Sequence, residues 1–432
     1  MLNRKTLSLA TVLGATAVFA GCSESGTTPD EATALTFWTF HEAHAGFFEL
    51  MAERWNEAHP DEPINLTTTT HPYEEQHNKL LISLQSGVGA PDLSDIEISK
   101  FPNFLKGEQL QIEDLTPMVE PVRDKFVEAR FDIYSKGDKV YGLPYHVGAT
   151  VVYYNMDIMN QAGVNPDDIR SWNDYVEAGK KVAAATGVPM TSVETTDQWS
   201  FWPLISQQGS DYFDADGNLI LDNDTNIKTL EFLYNMVHRD KIAVIAPGGF
   251  HHSEEFYGFM NQGGIASITM PMWYGARIAE NMPDLKGKIA IRPMPYWEEG
   301  GNRSAGMGGT ATVVTNQTKH LDLTKRFLEF AKLSEEGAIE IWNSIGYDPA
   351  RWDVWDSEKM NASNKLTDFY GNGIFDTLSE IKDEINPVHM TETLPLVSDA
   401  VKKNVMFRVL EEQSQTPAEA LKAAADEIRS QQ

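Results

Sequence analysis

ALTFWTF, at residues 34–40, begins an alternation of strands and helices that decides the fold class. Its β-branched and aromatic residues are typical of a buried strand. EAHAGFFELMAERWNEAHPD (42–61) carries large apolar residues at helical spacing. INLTTTT (64–70) then predicts a second strand, YEEQHNKLLISLQSG (73–87) a second helix and PDLSDIEIS (91–99) a third strand. Strands that alternate with helices form a parallel sheet with crossover helices, so this region is an α/β lobe.

The rest of the chain continues the mixed pattern. YGLPYHVGATVVYYN (141–155) predicts a turn and a long apolar strand, and residues 224–238 predict a helix. GGIASITMPMWYGAR (263–277) predicts a strand and then a turn, and MGGTATVVTNQT (307–318) a strand led by glycine. The C-terminal region is largely helical. A body of this size buries a large core and is expected to divide into two lobes.

The N-terminus carries an export signal around AVFAGCSE (17–24), which holds the single cysteine, Cys22. Basic residues precede an apolar run at 7–19, and two small residues follow it, as in a secretory signal. The run is too short to span a bilayer. One cysteine forms no intramolecular disulfide, and a catalytic thiol is disfavoured in an export segment.

Residues 19–22 resemble the lipobox of bacterial lipoproteins, whose cysteine is acylated and becomes the mature N-terminus. Leucine is usual where Phe19 stands, so plain secretion remains the alternative. We therefore predict a signal peptide at 1–21, lipidation of Cys22, and a flexible polar tether at 22–33. This places the body outside the cell, at the membrane surface.

The chain is strongly acidic, with a formal net charge of −28. Removal of residues 1–21 takes away two cations, Arg4 and Lys5, and no acid. Such a chain is repelled by nucleic acid and by anionic lipid surfaces, so membrane contact is expected through the lipid alone. We expect a monomer.

The order of the segments resembles the extracellular solute-binding proteins of ABC importers, in the carbohydrate branch related to maltodextrin-binding protein. Six stretches over residues 34–430 carry this resemblance: TFWTF, SGVGAPDLSDIE, YGLPYHVGATVVYYN, NQGGIASITMPMWYG, GMGGTATVVTNQTKH and FAKLSEEGAIEIWNSIGYDPAR. More narrowly, VETTDQW, HHSEEFYGFMN and MPMWYGAR are similar to the arabino-oligosaccharide-binding lipoproteins of bacilli.

The resemblance implies a two-lobed α/β fold of the periplasmic-binding-protein type, with three hinge crossings and a sugar in the cleft. Carried onto this chain, it implies an N-terminal lobe at 34–145 plus 265–308. The C-terminal lobe would comprise 146–264 plus 309–432. The crossings are expected near Tyr145–Gly148, Gly263–Ile265 and Met307–Thr310, with glycines that either absorb hinge motion or form ordinary turns: Gly148, Gly263, Gly264, Gly308 and Gly309.

A sugar site needs aromatic faces for C–H groups and polar side chains for hydroxyls. Trp38, followed by His41 and Glu42, ends the first predicted strand, where open α/β sheets bind ligands; a core role for Trp38 stays open. Glu97 is expected to accept hydroxyls, or else to be a surface acid. His146 is either a sugar contact or a buried, hydrogen-bonded histidine.

Further candidates lie in the second half. Trp199 and Trp202 are three residues apart, and spacing does not say which is a platform and which is core. Trp273 and Tyr274 directly follow a predicted strand, and Trp273 is the strongest candidate. In GYDPARWDVW (346–355), the side chains that could reach the cleft are Tyr347 and Arg351.

The alternatives to a sugar-binding transport protein are a secreted glycoside hydrolase, which would place two carboxylates at one glycosidic bond, and a polysaccharide-adhesion protein. HEAH (41–44) is a near miss for a zinc-protease motif, and HHSEE (251–255) shows no further cluster spaced to join it. No metal or cofactor is therefore expected. Together with the resemblance, this predicts no enzyme but a protein that captures an oligosaccharide, arabinose-containing, for the transmembrane subunits of an ABC permease.

Overall fold

The computed structural model describes residues 32–431. The predicted signal peptide, Cys22 and nearly all of the predicted tether lie outside the described residues. The strands are β1 Thr33–Thr39, β2 Ile64–Thr70, β3 Leu93–Glu97, β4 Ser135–Lys136, β5 Lys139–Val140, β6 Leu143–Pro144, β7 Thr150–Asn155, β8 Thr191–Val193, β9 Ala243–Ile245, β10 Ser267–Pro271, β11 Ile289–Pro293 and β12 Thr310–Val314.

The α-helices are α1 Glu42–Ala58, α2 Tyr73–Ser86, α3 Thr116–Val119, α4 Ala129–Asp132, α5 Met156–Gln161, α6 Trp172–Thr186, α7 Trp202–Gln207, α8 Asp224–His238, α9 Glu254–Asn261, α10 Tyr274–Asn281, α11 Leu321–Leu333, α12 Glu335–Glu340, α13 Lys365–Tyr370, α14 Ile374–Ile381, α15 Leu394–Ala400 and α16 Pro417–Arg429. Within residues 32–431, none of the helices has the length and apolarity that a membrane crossing requires.

The first lobe is built on a five-stranded sheet in the order β2-β1-β3-β12-β6. β1 pairs in parallel with both β2 and β3, which confirms the α/β arrangement predicted from 34–99. α2 ends where Gly87 adopts a left-handed φ of 74°, at the last residue of the helix predicted over 73–87. The carboxyl ends of β1 and β3 therefore lie at one edge of this sheet.

The second lobe is built on a three-stranded antiparallel sheet in the order β10-β7-β11. All residues of β7 are buried, which explains its continuous apolar sequence. The parallel pair β8-β9 joins this lobe through the Ser267 amide, which donates to the Met190 carbonyl at 2.7 Å. The turn predicted within 141–155 contains the short strand β6 of the first sheet, and the long apolar strand predicted to follow it is limited to β7 of the second sheet.

Strand pairing disagrees with the lobe boundaries expected from the sequence. β10 and β11 lie in 265–308 but pair with β7 of the second lobe. β12 lies in 309–432 but pairs with β3 of the first lobe, and the following α11 and α12 pack on α1. The assignment of β10 and β11 to the first lobe and of β12, α11 and α12 to the second is therefore wrong, because pairing between strands far apart in sequence has no local signal. The helices α13, α14 and α16, which also lie in 309–432, do pack on second-lobe elements, namely α10, β11 and α8.

The chain passes between the lobes at three neighbouring segments, 145–149, 305–309 and 346–350, which we call the hinge segments. The Met307 amide donates to the Gly148 carbonyl at 2.9 Å, and the Val147 amide donates to the Asp348 carbonyl at 2.9 Å. An isolated β-bridge also joins His146 to Pro349. The three segments thus form a narrow ladder that connects the two sheets.

The hinge segments correct one predicted crossing. Tyr145, Gly148, Gly308 and Gly309 lie in or directly beside these segments, but Gly263–Ile265 connects α9 to β10 inside the second lobe. The Gly263 and Gly264 amides donate to the last turn of α9, so these glycines end a helix. The crossing at 346–350 was not predicted, because its sequence resembles an ordinary loop after a helix.

Two buried side chains, Asp348 and Arg130, hydrogen-bond to the backbone of the hinge segments. Asp348 accepts the amides of Gly148 at 3.2 Å and Ala149 at 2.9 Å, and Arg130 donates to the Gly308 carbonyl at 2.5 Å. Burial raises the pKa of the Asp348 carboxyl to about 7. Asp348 thereby joins the third hinge segment to the first, and Arg130 of α4 anchors the second.

Candidate functional site

Two tryptophans form a partly exposed aromatic pair beside the hinge segments. The ring centroids of Trp199 and Trp273 lie 5.2 Å apart, with the ring planes at 77°. Trp199 precedes α7, and Trp273 stands between β10 and α10. The Trp273 Nε1 donates to the Met307 carbonyl at 3.0 Å, and a Cβ added to Gly308 would meet that indole nitrogen at 3.0 Å. The aromatic pair is therefore anchored directly on the second hinge segment.

A carboxylate–histidine cluster, formed by Glu194, Asp197 and His252, adjoins the aromatic pair. One ligand atom from each residue lies within 4.8 Å of the others, and the His252 ring stacks on Trp273 at 5.7 Å and 18°. Glu194 accepts the amides of His251 at 2.9 Å and Ser200 at 3.1 Å. The cluster thus places acceptors and an imidazole next to an aromatic face.

Burial shifts the protonation of this cluster. Burial, followed by the nearby Asp197 charge, raises the pKa of Glu194 to about 8. Burial, with the Arg277 and Lys402 charges, lowers the pKa of His252 to about 3, so its imidazole is neutral at physiological pH. The sequence shows no further cluster spaced to join HHSEE, but the fold brings two acids of the loop after β8, Glu194 and Asp197, to within 4.8 Å of His252.

A row of rings runs from α1 of the first lobe to the hinge segments. The His41 and His44 rings lie 4.9 Å apart, His44 and Tyr347 5.8 Å, and Tyr347 and His146 4.6 Å. Burial, then the charges of His44 and of Arg277 on α10, lowers the pKa of His41 to about 4. An arginine of the second lobe is therefore close enough to act on a first-lobe histidine.

His146 is buried, with 5 % of its surface exposed, and neither ring nitrogen has a hydrogen-bond partner among the described residues. Burial holds its pKa well below the usual value. Its expected role as a hydrogen-bonded core histidine does not match this environment. The role of a sugar contact stays a prediction.

A buried network lies beneath these rings. The Asp95 carboxylate accepts the hydroxyls of Thr39 at 2.8 Å and Thr312 at 2.7 Å, and lies 2.8 Å from the His44 Nδ1. The Nζ atom of the buried Lys332 lies 2.7 Å from the centre of the Tyr145 ring, and burial lowers the pKa of this amine well below its usual value. Sequence reasoning missed this network, which fixes the orientation of the His44 and Tyr145 rings.

Three predicted residues lie at the strand ends of the first lobe, away from the aromatic pair. The Trp38 ring contacts the ammonium of Lys79 at 4.7 Å, and Glu42 is exposed at the start of α1. Glu97 accepts the Tyr73 hydroxyl at 2.8 Å, and burial raises its pKa. Among the ring contacts of residues 32–431, none joins Trp38 to Trp199 or Trp273.

Three other predicted residues are buried with their polar groups already bound. Trp202 stacks on Tyr212 and donates to Asp211 at 2.7 Å, so it is the core member of its pair and Trp199 the accessible one. The Tyr274 hydroxyl donates to the His251 carbonyl at 2.5 Å. Arg351 donates to the Leu333 carbonyl and to the Asp353 carboxylate. In this conformation the Trp202 indole and the Tyr274 hydroxyl donate within the fold, and the buried Arg351 guanidinium is held by the Leu333 carbonyl and two carboxylates.

Sequence reasoning also missed Arg277. It lies four residues after Trp273, at the spacing that places two side chains on one face of a helix, and it is exposed. It stands in the quoted MPMWYGAR stretch, so helical spacing from Trp273 was the signal that could have found it. Beyond the effect of burial, the charge of Arg277 lowers the pKa values of His41 and His252 and offsets part of the rise that burial causes in the pKa of Tyr347.

The arrangement is suited to binding polyhydroxyl ligands. It combines aromatic faces with carboxylate, imidazole and guanidinium groups between two lobes. Glycosidic hydrolysis needs two carboxyl groups that flank one bond. The two carboxyl groups of the cluster belong to Glu194 and Asp197. Glu194 has no exposed surface, and its oxygens accept two backbone amides, so it is not free to flank a glycosidic bond.

Comparison with known proteins is consistent with this geometry. The model of the bacterial extracellular solute-binding protein family matches residues 41–338. The arabinooligosaccharide-binding protein of Bacillus subtilis is 54% identical over 417 residues, covering 96% of each chain. The arabinooligosaccharide-binding protein of Halalkalibacterium halodurans is 51% identical over 400 residues, covering 92% of this chain and 89% of the relative.

The fold is similar to solved structures at low sequence identity. The galacto-N-biose/lacto-N-biose I-binding protein of an ABC transporter from Bifidobacterium longum superposes with a TM-score of 0.74 at 18% identity. The superposition covers 94% of this chain and 98% of that one. The two-lobed architecture is therefore shared, although few residues are.

Proposed function

Because the chain belongs to the bacterial extracellular solute-binding proteins, we propose that it captures an arabino-oligosaccharide between its lobes and delivers it to an ABC permease. Members of this family are sugar-binding components of ABC transporters, and its relatives are binding proteins rather than enzymes. The choice of sugar rests on the two relatives that are more than half identical to this chain.

One observation carries the proposal: the aromatic pair is anchored on the second hinge segment, and burial together with the charge of Arg277, four residues after Trp273, lowers the pKa of the first-lobe His41. A ligand that contacts both lobes stabilises the closed form, since it binds that form more tightly than the open one. Aromatic contact with C–H groups and charge-assisted hydrogen bonds to hydroxyls would supply the affinity. No covalent step is needed.

We expect saturable binding of short arabino-oligosaccharides without release of products. The measurement is calorimetric titration of the mature protein with arabino-, xylo- and malto-oligosaccharides, followed by analysis of the sugar for new reducing ends. The strongest affinity for a malto- or xylo-oligosaccharide would refute the sugar class. New reducing ends would show a hydrolase, and binding of insoluble polymer alone would show an adhesion protein.

We further propose that the protein is anchored outside the cell by a lipid on Cys22 and acts as a monomer. The family is extracellular, and the lipobox-like residues 19–22 supply the attachment point. Cys22→Ser is expected to move the protein from the membrane fraction to the medium without changing sugar affinity. Fractionation of cells that express each form measures this, and an unchanged distribution would refute the anchor.

A further inference from the structure

The carboxylate–histidine cluster has the donor set of a cation site. Glu194, Asp197 and His252 each offer one ligand atom, and all three atoms lie within 4.8 Å of one another. Two carboxylate oxygens and one imidazole nitrogen are ligands that divalent transition metals accept. None of the described residues hydrogen-bonds the His252 ring, so its nitrogens are available.

A second observation indicates that this cluster lacks a partner. His251, with 1 % of its surface exposed, has a ring nitrogen, Nδ1, that makes no hydrogen bond to any residue in 32–431. This atom lies 3.5 Å from the Glu194 Oε1, on the edge of the cluster. A buried polar atom without a partner costs free energy, so a ligand or an ordered group beside it is favoured.

The protein already supplies the outer hydrogen bonds that metal sites need. The amides of His251 and Ser200 each hold one oxygen of Glu194, and the other ring nitrogen of His251 lies 2.9 Å from the Ser192 hydroxyl. Stacking on Trp273 fixes the plane of the His252 ring. Such contacts orient ligands before the metal arrives.

We propose that Glu194, Asp197 and His252 bind a divalent transition-metal cation, of the Zn²⁺ class, beside the aromatic pair. Three protein ligands leave a coordination position open, as in metal sites that also bind a small molecule. The inference goes beyond the proposed sugar binding and is independent of it. The cation would lie between β8, α9 and the hinge-anchored Trp273, where it would hold these elements together.

Two positively charged side chains, Lys402 and Arg277, lie near the cluster and oppose the binding of a cation. The Lys402 ammonium lies 3.4 Å from the Asp197 Oδ1 and competes with a cation for that carboxylate. Burial, followed by the charge of Arg277 on α10, lowers the pKa of His252. Removal of the Lys402 charge should therefore strengthen cation binding, whereas removal of a ligand should weaken it.

The test is calorimetric titration of the EDTA-treated, dialysed mature protein with ZnCl₂ alone, without sugar. We expect one Zn²⁺ per chain at this site, with affinity at least about tenfold weaker in Asp197→Asn and in His252→Gln. Lys402→Gln is expected to bind Zn²⁺ more tightly. Glu254→Gln, the same charge change at an exposed acid two residues from His252, is the matched control and should leave the affinity unchanged.

Several outcomes would overturn the proposal. The first is absence of Zn²⁺ binding by the unmodified protein. The second is unchanged binding in both Asp197→Asn and His252→Gln, which would show adventitious surface sites. A His252→Gln variant that loses sugar affinity but keeps Zn²⁺ affinity would assign the cluster to sugar alone. If either ligand variant fails to fold, unchanged Zn²⁺ affinity in Lys402→Gln is decisive against the site.

Discussion

Trp273→Ala is expected to weaken oligosaccharide binding at least about tenfold, equivalent to roughly 1.4 kcal/mol, while the protein stays folded. The side chain is partly exposed, contacts Trp199 and His252, and reaches the second hinge segment through Met307. Its loss removes an aromatic face and loosens the link between that face and the hinge. Calorimetric titration with the best sugar of the panel measures the effect.

Two variants separate the contributions of Trp273. Trp273→Phe keeps an aromatic face but loses the hydrogen bond to the Met307 carbonyl, so we expect an intermediate loss. Trp352→Ala is the control: this tryptophan is also partly exposed, but it donates to the Asp124 carbonyl and has no ring contact with the aromatic pair among the described residues. Equal affinities of Trp273→Ala and the unmodified protein would exclude Trp273 from the site.

Gly148→Ala is expected to lower the free energy of unfolding by at least about 3 kcal/mol, among the larger effects of single substitutions. Gly148 has a φ of 66°, and an added Cβ would lie 2.1 Å from the Met307 carbonyl oxygen. That oxygen belongs to the neighbouring hinge segment and accepts the Trp273 indole. The substitution should therefore also disturb the cleft and weaken sugar binding.

Gly163→Ala is a closely matched control for the cost of placing alanine in a left-handed backbone conformation. Gly163 has a φ of 63°, but nothing lies within 4 Å of its added Cβ. It should cost only the left-handed conformation, about 1 kcal/mol. Urea unfolding of both variants isolates the close approach of the hinge segments. Equal destabilisation by the two substitutions would show that the hinge ladder adapts without cost.

Local signals in the sequence were reliable where neighbours in sequence are also neighbours in space. The spacing of apolar residues located α1, and Gly87 marked the end of α2, because both depend on contacts within a few residues. Trp273 was placed next to a strand for the same reason, and it does stand between β10 and α10.

Long-range pairing caused the errors. Gly263–Ile265 has the composition of a hinge but ends a helix, because its role depends on which sheet the next strand joins. The sequence predicts that Arg351 is an accessible cation in a loop, but its guanidinium binds Asp353 and the Leu333 carbonyl. The residues Glu194 and His252 stand far apart in the chain, and only the fold brings their side chains together.

The sequence by itself determined the α/β class, the order of most strands and helices, and the tryptophans to consider, since periodicity and glycine conformation act over a few residues. The tertiary structure alone decided which sheet β12 joins, where the hinge segments meet, and that Trp199 rather than Trp202 is accessible. These features depend on burial and on hydrogen bonds between distant segments, which have no fixed spacing along a chain.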